Sequence, residues 1–294
     1  MINLLRAEWK KVVGNYQLAG FLVWIYPVGI LGFYGVMLVG GIFSKGWAEG
    51  MVATGSGRWT DDALGVWGLI MSFPFNILGR MLPLAFMSTM FASEYEWGMW
   101  KNLIPRNRRA ALILAKITVL ITLIVLALVA TSLVTVAGQW LGRRLVGGEY
   151  GPGVTGSVAI SFIARYLQTA VLGILVLIIL AGIAALAAIL TRSVLGGLLV
   201  GFGFSVLDSL SMYILLLAGK IFSVPGIINL YRFTPAYSVD NSQSWFNTGT
   251  PIPIPLENFS AAPDLAFSLM VLLIWAAGLT ALVLAVFQRQ DITS

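Results

Sequence analysis

The sequence predicts an all-α integral membrane protein with six transmembrane helices. Three observations carry that reading. Hydrophobic residues make up 59% of the chain and charged ones only 10%, whereas a soluble surface needs about a quarter charged. Uninterrupted apolar runs of bilayer-spanning length recur from end to end. The Lys and Arg residues gather in the stretches between those runs, as membrane orientation requires. This placement accounts for the net charge of +6 without a nucleic-acid partner.

The elements follow in order. Residues 1–17 read as an amphipathic interfacial helix: Ile2, Leu5, Trp9 and Val13 recur at three- and four-residue spacing, with Arg6 and Lys10 off that stripe. Such a helix lies in the headgroup layer with Trp9 as anchor; the alternative is a simple extension of the first span. That span, 18–43, has 26 residues. It is too long for a signal-peptide core and lacks a small-x-small cleavage site, so it is expected to be retained. The second span, 64–91, carries Pro74, Asn76, Arg80 and Pro83. Its prolines imply either a helix broken around a pathway or a kink packed on neighbours. The third, 111–141, has no charge between Lys116 and Arg143. The fourth is 162–190. The fifth, 194–219, is Gly-rich and contains Asp208; its one Gly-x-x-x-Gly, 197–201, suits a close helix seam such as a dimer interface. The sixth is 265–287.

Between spans five and six, residues 220–264 hold Pro225, Pro235, Pro251, Pro253, Pro255 and Pro263. They form the expected extracytoplasmic segment. Its apolar pieces, such as 222–230, are too short to span and fit a re-entrant or interfacial hairpin, with TPIPIP as an extended linker. The whole chain, 1–294, reads as one transmembrane domain. With both termini inside, the inner side holds ten Lys/Arg: Arg6, Lys10, Lys11, Lys101, Arg106, Arg108, Arg109, Lys116, Arg192 and Arg289. The outer side holds seven: Lys45, Arg58, Arg143, Arg144, Arg165, Lys220 and Arg232. The balance places both termini in the cytoplasm of a multi-pass protein of the inner (plasma) membrane.

Composition also narrows the chemistry. There is no Cys and no His, which removes disulfides, thiolate metal sites and His-based mechanisms. No Gly-rich phosphate loop ending in Gly-Lys-Ser/Thr occurs, so the chain carries no P-loop ATPase. No general-base or nucleophile constellation points to an enzyme. Arg80 and Asp208 are the two ionisable residues deep inside predicted spans, where charge is costly and seeks a partner. Arg80 lies 14 residues before Glu94, about 21 Å of helix, and Asp208 16 residues after Arg192, about 24 Å. Their similar depth predicts an ion pair, within one subunit or across a dimer. It would either line the transport route or its outer gate, or lock two helices together.

Residues 94–116, EYEWGMWKNLIPRNRRAALILAK, are too polar for hydrocarbon and carry five basic residues, two carboxylates and two Trp. Gly98 permits close backbone approach, Trp97 and Trp100 are large amphipathic anchors, and Pro105 ends one helix before the next. The plain alternative is an ordinary basic loop obeying topology rules. The stretch resembles the ABC-2 type permeases, the membrane subunits of ATP-driven exporters, in Glu94, Glu96, Gly98, Lys101, Leu103-Ile104, Pro105, the Arg cluster and Lys116. Met99 stands where that family usually carries Thr. The layout is similar too: N-terminal interfacial helix, six spans, a long segment before the sixth and a charged ending.

The resemblance implies a permease that forms the translocation pathway and works as a dimer, identical or with a homologue. A separate cytoplasmic ATPase would then grip Glu94, Tyr95, Glu96, Trp97, Gly98, Met99, Trp100 and Lys101 within a coupling loop at 94–109. No cofactor is expected on this chain, with ATP and Mg on the partner ATPase. A different class of reading is an ion-gradient-driven secondary transporter or channel using Arg80 and Asp208. It is disfavoured because gradient coupling usually shows several intramembrane acids.

Overall fold

A computed structural model describes residues 2–15, 22–96, 108–254 and 262–290. The described residues form thirteen α-helices, one 3-10 segment and no strand, only an isolated bridge between Arg58 and Gly151. An apolar chain in lipid has no water to satisfy its peptide groups, so it closes them within helices. Among the described residues, five helical runs are long and apolar enough to span a membrane, and a sixth candidate is a bent pair. The all-α multi-pass architecture read from the sequence therefore stands.

Helix α1 (Ile2–Gly14) packs against the start of a later span. Helix α2 (Ile25–Phe43) is the first span; residues 18–21 of the expected 18–43 run lie outside the described residues. Three short helices follow, α3 (Lys45–Ala53), α4 (Trp59–Gly65) and α5 (Gly68–Met71), then α6 (Phe75–Gly79) and α7 (Met81–Glu96). The expected second span is thus not one helix from 64 to 91. It breaks at Ser72–Pro74 and again at Arg80, and its span-length part is Phe75–Tyr95. Pro74 caps α6, and Pro83 sits in the first turn of α7, where its missing N–H leaves no bond unmade. The prolines break the helix rather than kink it.

The two longest helices, α8 (Arg109–Leu145, 37 residues) and α9 (Gly156–Thr191, 36 residues), run about 55 Å each, nearly twice a hydrocarbon core. Helix α9 is the hub, packing against α7, α8, α10 (Val194–Ser209) and α13 (Leu265–Arg289). Lipid offers no hydrophobic drive for helix association, so close approach depends on small residues. Gly182, and Ala181, Ala184, Ala185 and Ala188, supply that surface on the buried part of α9. The Gly197/Gly201 pair works the same way within the chain. A Cβ on Gly197 would meet Ser88 Oγ at 2.9 Å, and one on Gly201 would meet Leu84 at 2.8 Å. This seam joins α10 to α7, so the spacing read as suiting a dimer seam serves an internal one.

The fifth span is α10 followed by α11 (Ser211–Ile221), bent by 67° at Leu210. The 3-10 segment Pro225–Phe233 packs on α11, and α12 (Pro235–Thr248) packs on α13. The fifth span, expected as one run over 194–219, is therefore broken at Leu210, and much of the 220–264 segment is helical.

Candidate functional site

Two buried polar networks stand out, at opposite ends of α7. The first joins α1, the end of α7 and the start of α8. Lys116 is seven residues into α8 and 1% exposed. Its Nζ donates to Glu94 Oε1 at 2.7 Å, to Met90 O at 3.1 Å and to Glu8 Oε2 at 3.4 Å. Lys11 also pairs with Glu94. The Lys116 ammonium lies 5.8 Å from the centre of the Phe91 ring. Charges this deep persist only when paired, and here two cations and two carboxylates balance. Glu8 and Val12 form the protein-facing side of α1, with Leu4 and Leu5 partly buried beside them. Ile2, Trp9 and Val13, three residues of the apolar stripe read from the sequence, are exposed. These three make an outward apolar face of the kind an interfacial helix offers to lipid, while Leu5 of the same stripe is partly buried.

The same end of the bundle is tied again through its backbone. Tyr95 Oη donates to Gln290 Oε1 at 2.6 Å, and Gln290 Nε2 donates to Ile189 O at 3.0 Å. Arg109 Nη1 donates to Phe287 O, Gln288 O and Gln290 O at 2.9–3.0 Å. A guanidinium on the last carbonyls of α13 is the favourable charge for a helix C-terminus. Helices α7, α8, α9 and α13 are thereby held together beside Glu94.

Of the residues singled out for a soluble partner, Glu94 is buried in the first network and Tyr95 is in the second set of bonds. Glu96 ends α7, and its side chain lies outside the described residues, as do Trp97, Gly98, Met99, Trp100 and Lys101. Glu8 and Lys11 were not singled out from the sequence, and Lys116 entered only as a loop cation and through the resemblance. The one signal was an acid, Glu8, inside an otherwise basic amphipathic helix.

The second network lies where α7 and α10 both break. Arg80 and Asp208 are 2% and 6% exposed. Arg80 Nη1 donates to Asp208 Oδ2 at 3.3 Å, within one chain. Each also holds backbone: Arg80 Nε donates to Ile70 O at 2.6 Å, and Asp208 Oδ1 accepts from Ala236 N at 2.9 Å. Ala236 is in the first turn of α12, where orphan N–H groups and the helix dipole favour a carboxylate. Thr234 caps the same turn by accepting from Tyr237 N. The pair therefore fastens α5, the junction of α6 and α7, α10 and α12 at one point. Asp240, one turn along α12 and missed in the sequence, faces both charges. Its burial, opposed by the Arg80 guanidinium and reinforced by the Asp208 carboxylate, pushes its carboxyl up to about 6.

A family model described as ABC-2 family transporter protein matches residues 30–208. The chain belongs to that family. No curated protein and no solved structure matches it. The matched region runs from α2 to Asp208 and contains Arg80, Glu94 and Lys116. Glu8 and Lys11, on α1, fall outside it. This ABC-2 chain is accordingly a multi-pass membrane permease of an ABC transporter, a transport subunit.

Proposed function

We propose that this permease is the membrane half of an ATP-driven exporter, coupled to a separate cytoplasmic ATPase through the end of α7 and through α1. The observation that carries the reading is the buried Glu8–Lys11–Glu94–Lys116 network. It makes α1, the last turn of α7 and the first turns of α8 one mechanical unit. Force applied by an ATPase to residues 94–101 would pass into α8 through Lys116 and into α1 through Glu8. Two permease copies, or this one and a homologue, would flank the route, with two ATPase copies beneath. Both termini lie in the cytoplasm of the inner (plasma) membrane in this reading, with ATP and Mg on the partner.

The Arg80–Asp208 pair takes the other half of the cycle. It pins the broken elements above α7 and α10, and its rearrangement would let those elements rock as the lower bundle closes. The gradient-driven alternative needs a titrating acid able to meet a cargo ion. Asp208 is committed to Arg80 and to Ala236 N, which leaves Asp240 as the acid that reading would use; the ABC-2 family match is what favours the ATP-driven reading.

The test is co-purification of the tagged chain from its native operon, followed by ATPase assay in lipid vesicles. A stoichiometric P-loop ATPase is expected. Glu94→Gln and Lys116→Met should leave it bound but cut transport per ATP hydrolysed by tenfold or more, on the order of the 1.4 kcal/mol that a factor of ten represents. Purification of an intact chain with no ATPase would sink the proposal.

A further inference from the structure

Helices α1 and α8 flank an open groove of about 570 Å³ lined by Leu5, Arg6, Trp9, Lys10, Thr118, Val119 and Thr122. That volume falls within the roughly 300–1,000 Å³ of ordinary small-molecule sites. Its two chemistries are separated. Arg6 and Lys10, one turn apart on α1, line it, and neither is in an ion pair among the described residues. The other two charged residues of the helix, Glu8 and Lys11, are both spent on the buried network. Leu5, the Trp9 ring and Val119 give the groove an apolar wall. Thr118 and Thr122 are exposed, with their hydroxyls donated to Leu114 O and Thr118 O along α8.

The groove also sits at a defined level. Lys116 marks the charged end of the bundle, and Thr122 is six residues further, about 9 Å into the apolar run of α8. The exposed stripe of α1 places that helix at the boundary between headgroups and acyl chains. A ligand here meets cations at one end and hydrocarbon at the other.

We infer that this groove is a binding site for one anionic phospholipid. Its phosphate lies between Arg6 and Lys10, and its first acyl segment runs along Leu5, Trp9 and Val119. Charge complementarity selects the class: a net-negative headgroup answers two cations that have no ion pair among the described residues, whereas a zwitterionic one brings its own positive charge against them. A free phosphate ion would leave the apolar wall uncovered. The inference holds whichever side of the membrane α1 occupies and does not depend on ATPase coupling.

The test uses the full chain in detergent, with native mass spectrometry after titration with equimolar phosphatidylglycerol and phosphatidylcholine. One phosphatidylglycerol per chain should be retained in preference. The Arg6→Gln, Lys10→Gln double variant should weaken that retention roughly 30-fold, about fivefold for each charge. Thr122→Trp, which fills the groove and spares both cations, should also abolish it, and inorganic phosphate in large excess should not displace the lipid. Equal retention of the two lipids overturns the inference, as does unaltered retention in the double variant. Loss in the double variant with full retention in Thr122→Trp would show diffuse surface charge instead of a groove and would overturn it equally. Displacement by inorganic phosphate would reduce the site to an anion site and overturn the lipid assignment.

Discussion

Arg80 and Asp208 each serve a backbone group as well as one another, and this decides how they respond to mutation. Removing either partner strands a charge in a water-poor interior, which costs about 3–5 kcal/mol. Arg80→Ala and Asp208→Ala should each lower stability by that order. The double variant should be no worse than the more harmful single one, so the coupling in denaturant unfolding from mixed micelles should be at least as large as the milder single effect, about 3 kcal/mol. Exchanging the two charges should fail to rescue. An arginine at 208 cannot accept from Ala236 N, and an aspartate at 80 cannot donate to Ile70 O. Full rescue by the exchange would show that the charges alone matter. Asp240 adds a pH signature. Its folded carboxyl is raised from 3.8 to about 6, so the folded state holds the proton more tightly than the unfolded chain. Its contribution is present below the unfolded value, is lost as pH rises through about 6, and is constant above. Melting temperature should therefore fall across that window in the parent protein. Asp240→Asn should remove that component and melt higher near neutral pH.

The elements show where sequence periodicity informs and where it stops. The third, fourth and sixth spans were legible because their apolar runs are long and unbroken, and α8, α9 and α13 contain them. The depth of Arg80 and Asp208 was legible from helical rise alone, since α7 and α10 are regular up to the charged residues. The breaks were not. A run such as 64–80 is apolar enough for a span, but its cohesion depends on tertiary bonds that hold short helices side by side, notably Arg80 to Ile70 O and Tyr26 to Gly79 O. The partners of Lys116 were hidden for the same reason, because Glu8 reaches it across 108 residues. The glycine seam of α10 gives an element-scale test. Gly201 faces Leu84 of the same chain, so Gly201→Leu overpacks an internal contact at a cost of about 1–3 kcal/mol. The lowered melting temperature should be independent of protein concentration, with oligomeric state in light scattering unchanged. Dissociation without a loss of melting temperature would return the seam to a subunit interface.

At the scale of the whole molecule, the helix directions sort the charges into two groups. Helices α8, α9 and α13 run between the ends, so Arg108, Arg109, Arg192 and Arg289 gather beside Glu94, while Lys45, Arg58, Arg143 and Arg144 gather at the far end. These described residues fall on the sides given them in the sequence count; Lys101 and Arg106 of that count lie outside the described residues. In the proposed orientation, which follows the positive-inside rule, the Glu94 end faces the cytoplasm, where an ATPase can reach it. The absence of native cysteine makes this placement directly measurable. Ser56→Cys and Ser157→Cys lie at the far end, and Lys10→Cys lies on α1, so each reports one side of the bilayer. In sealed cells a membrane-impermeant maleimide should label the first two and spare the third until the membrane is opened. Labelling of Lys10→Cys alone in sealed cells would invert the topology. The 94–101 segment would then face away from any cytoplasmic ATPase, and the coupling proposal would fall with the orientation.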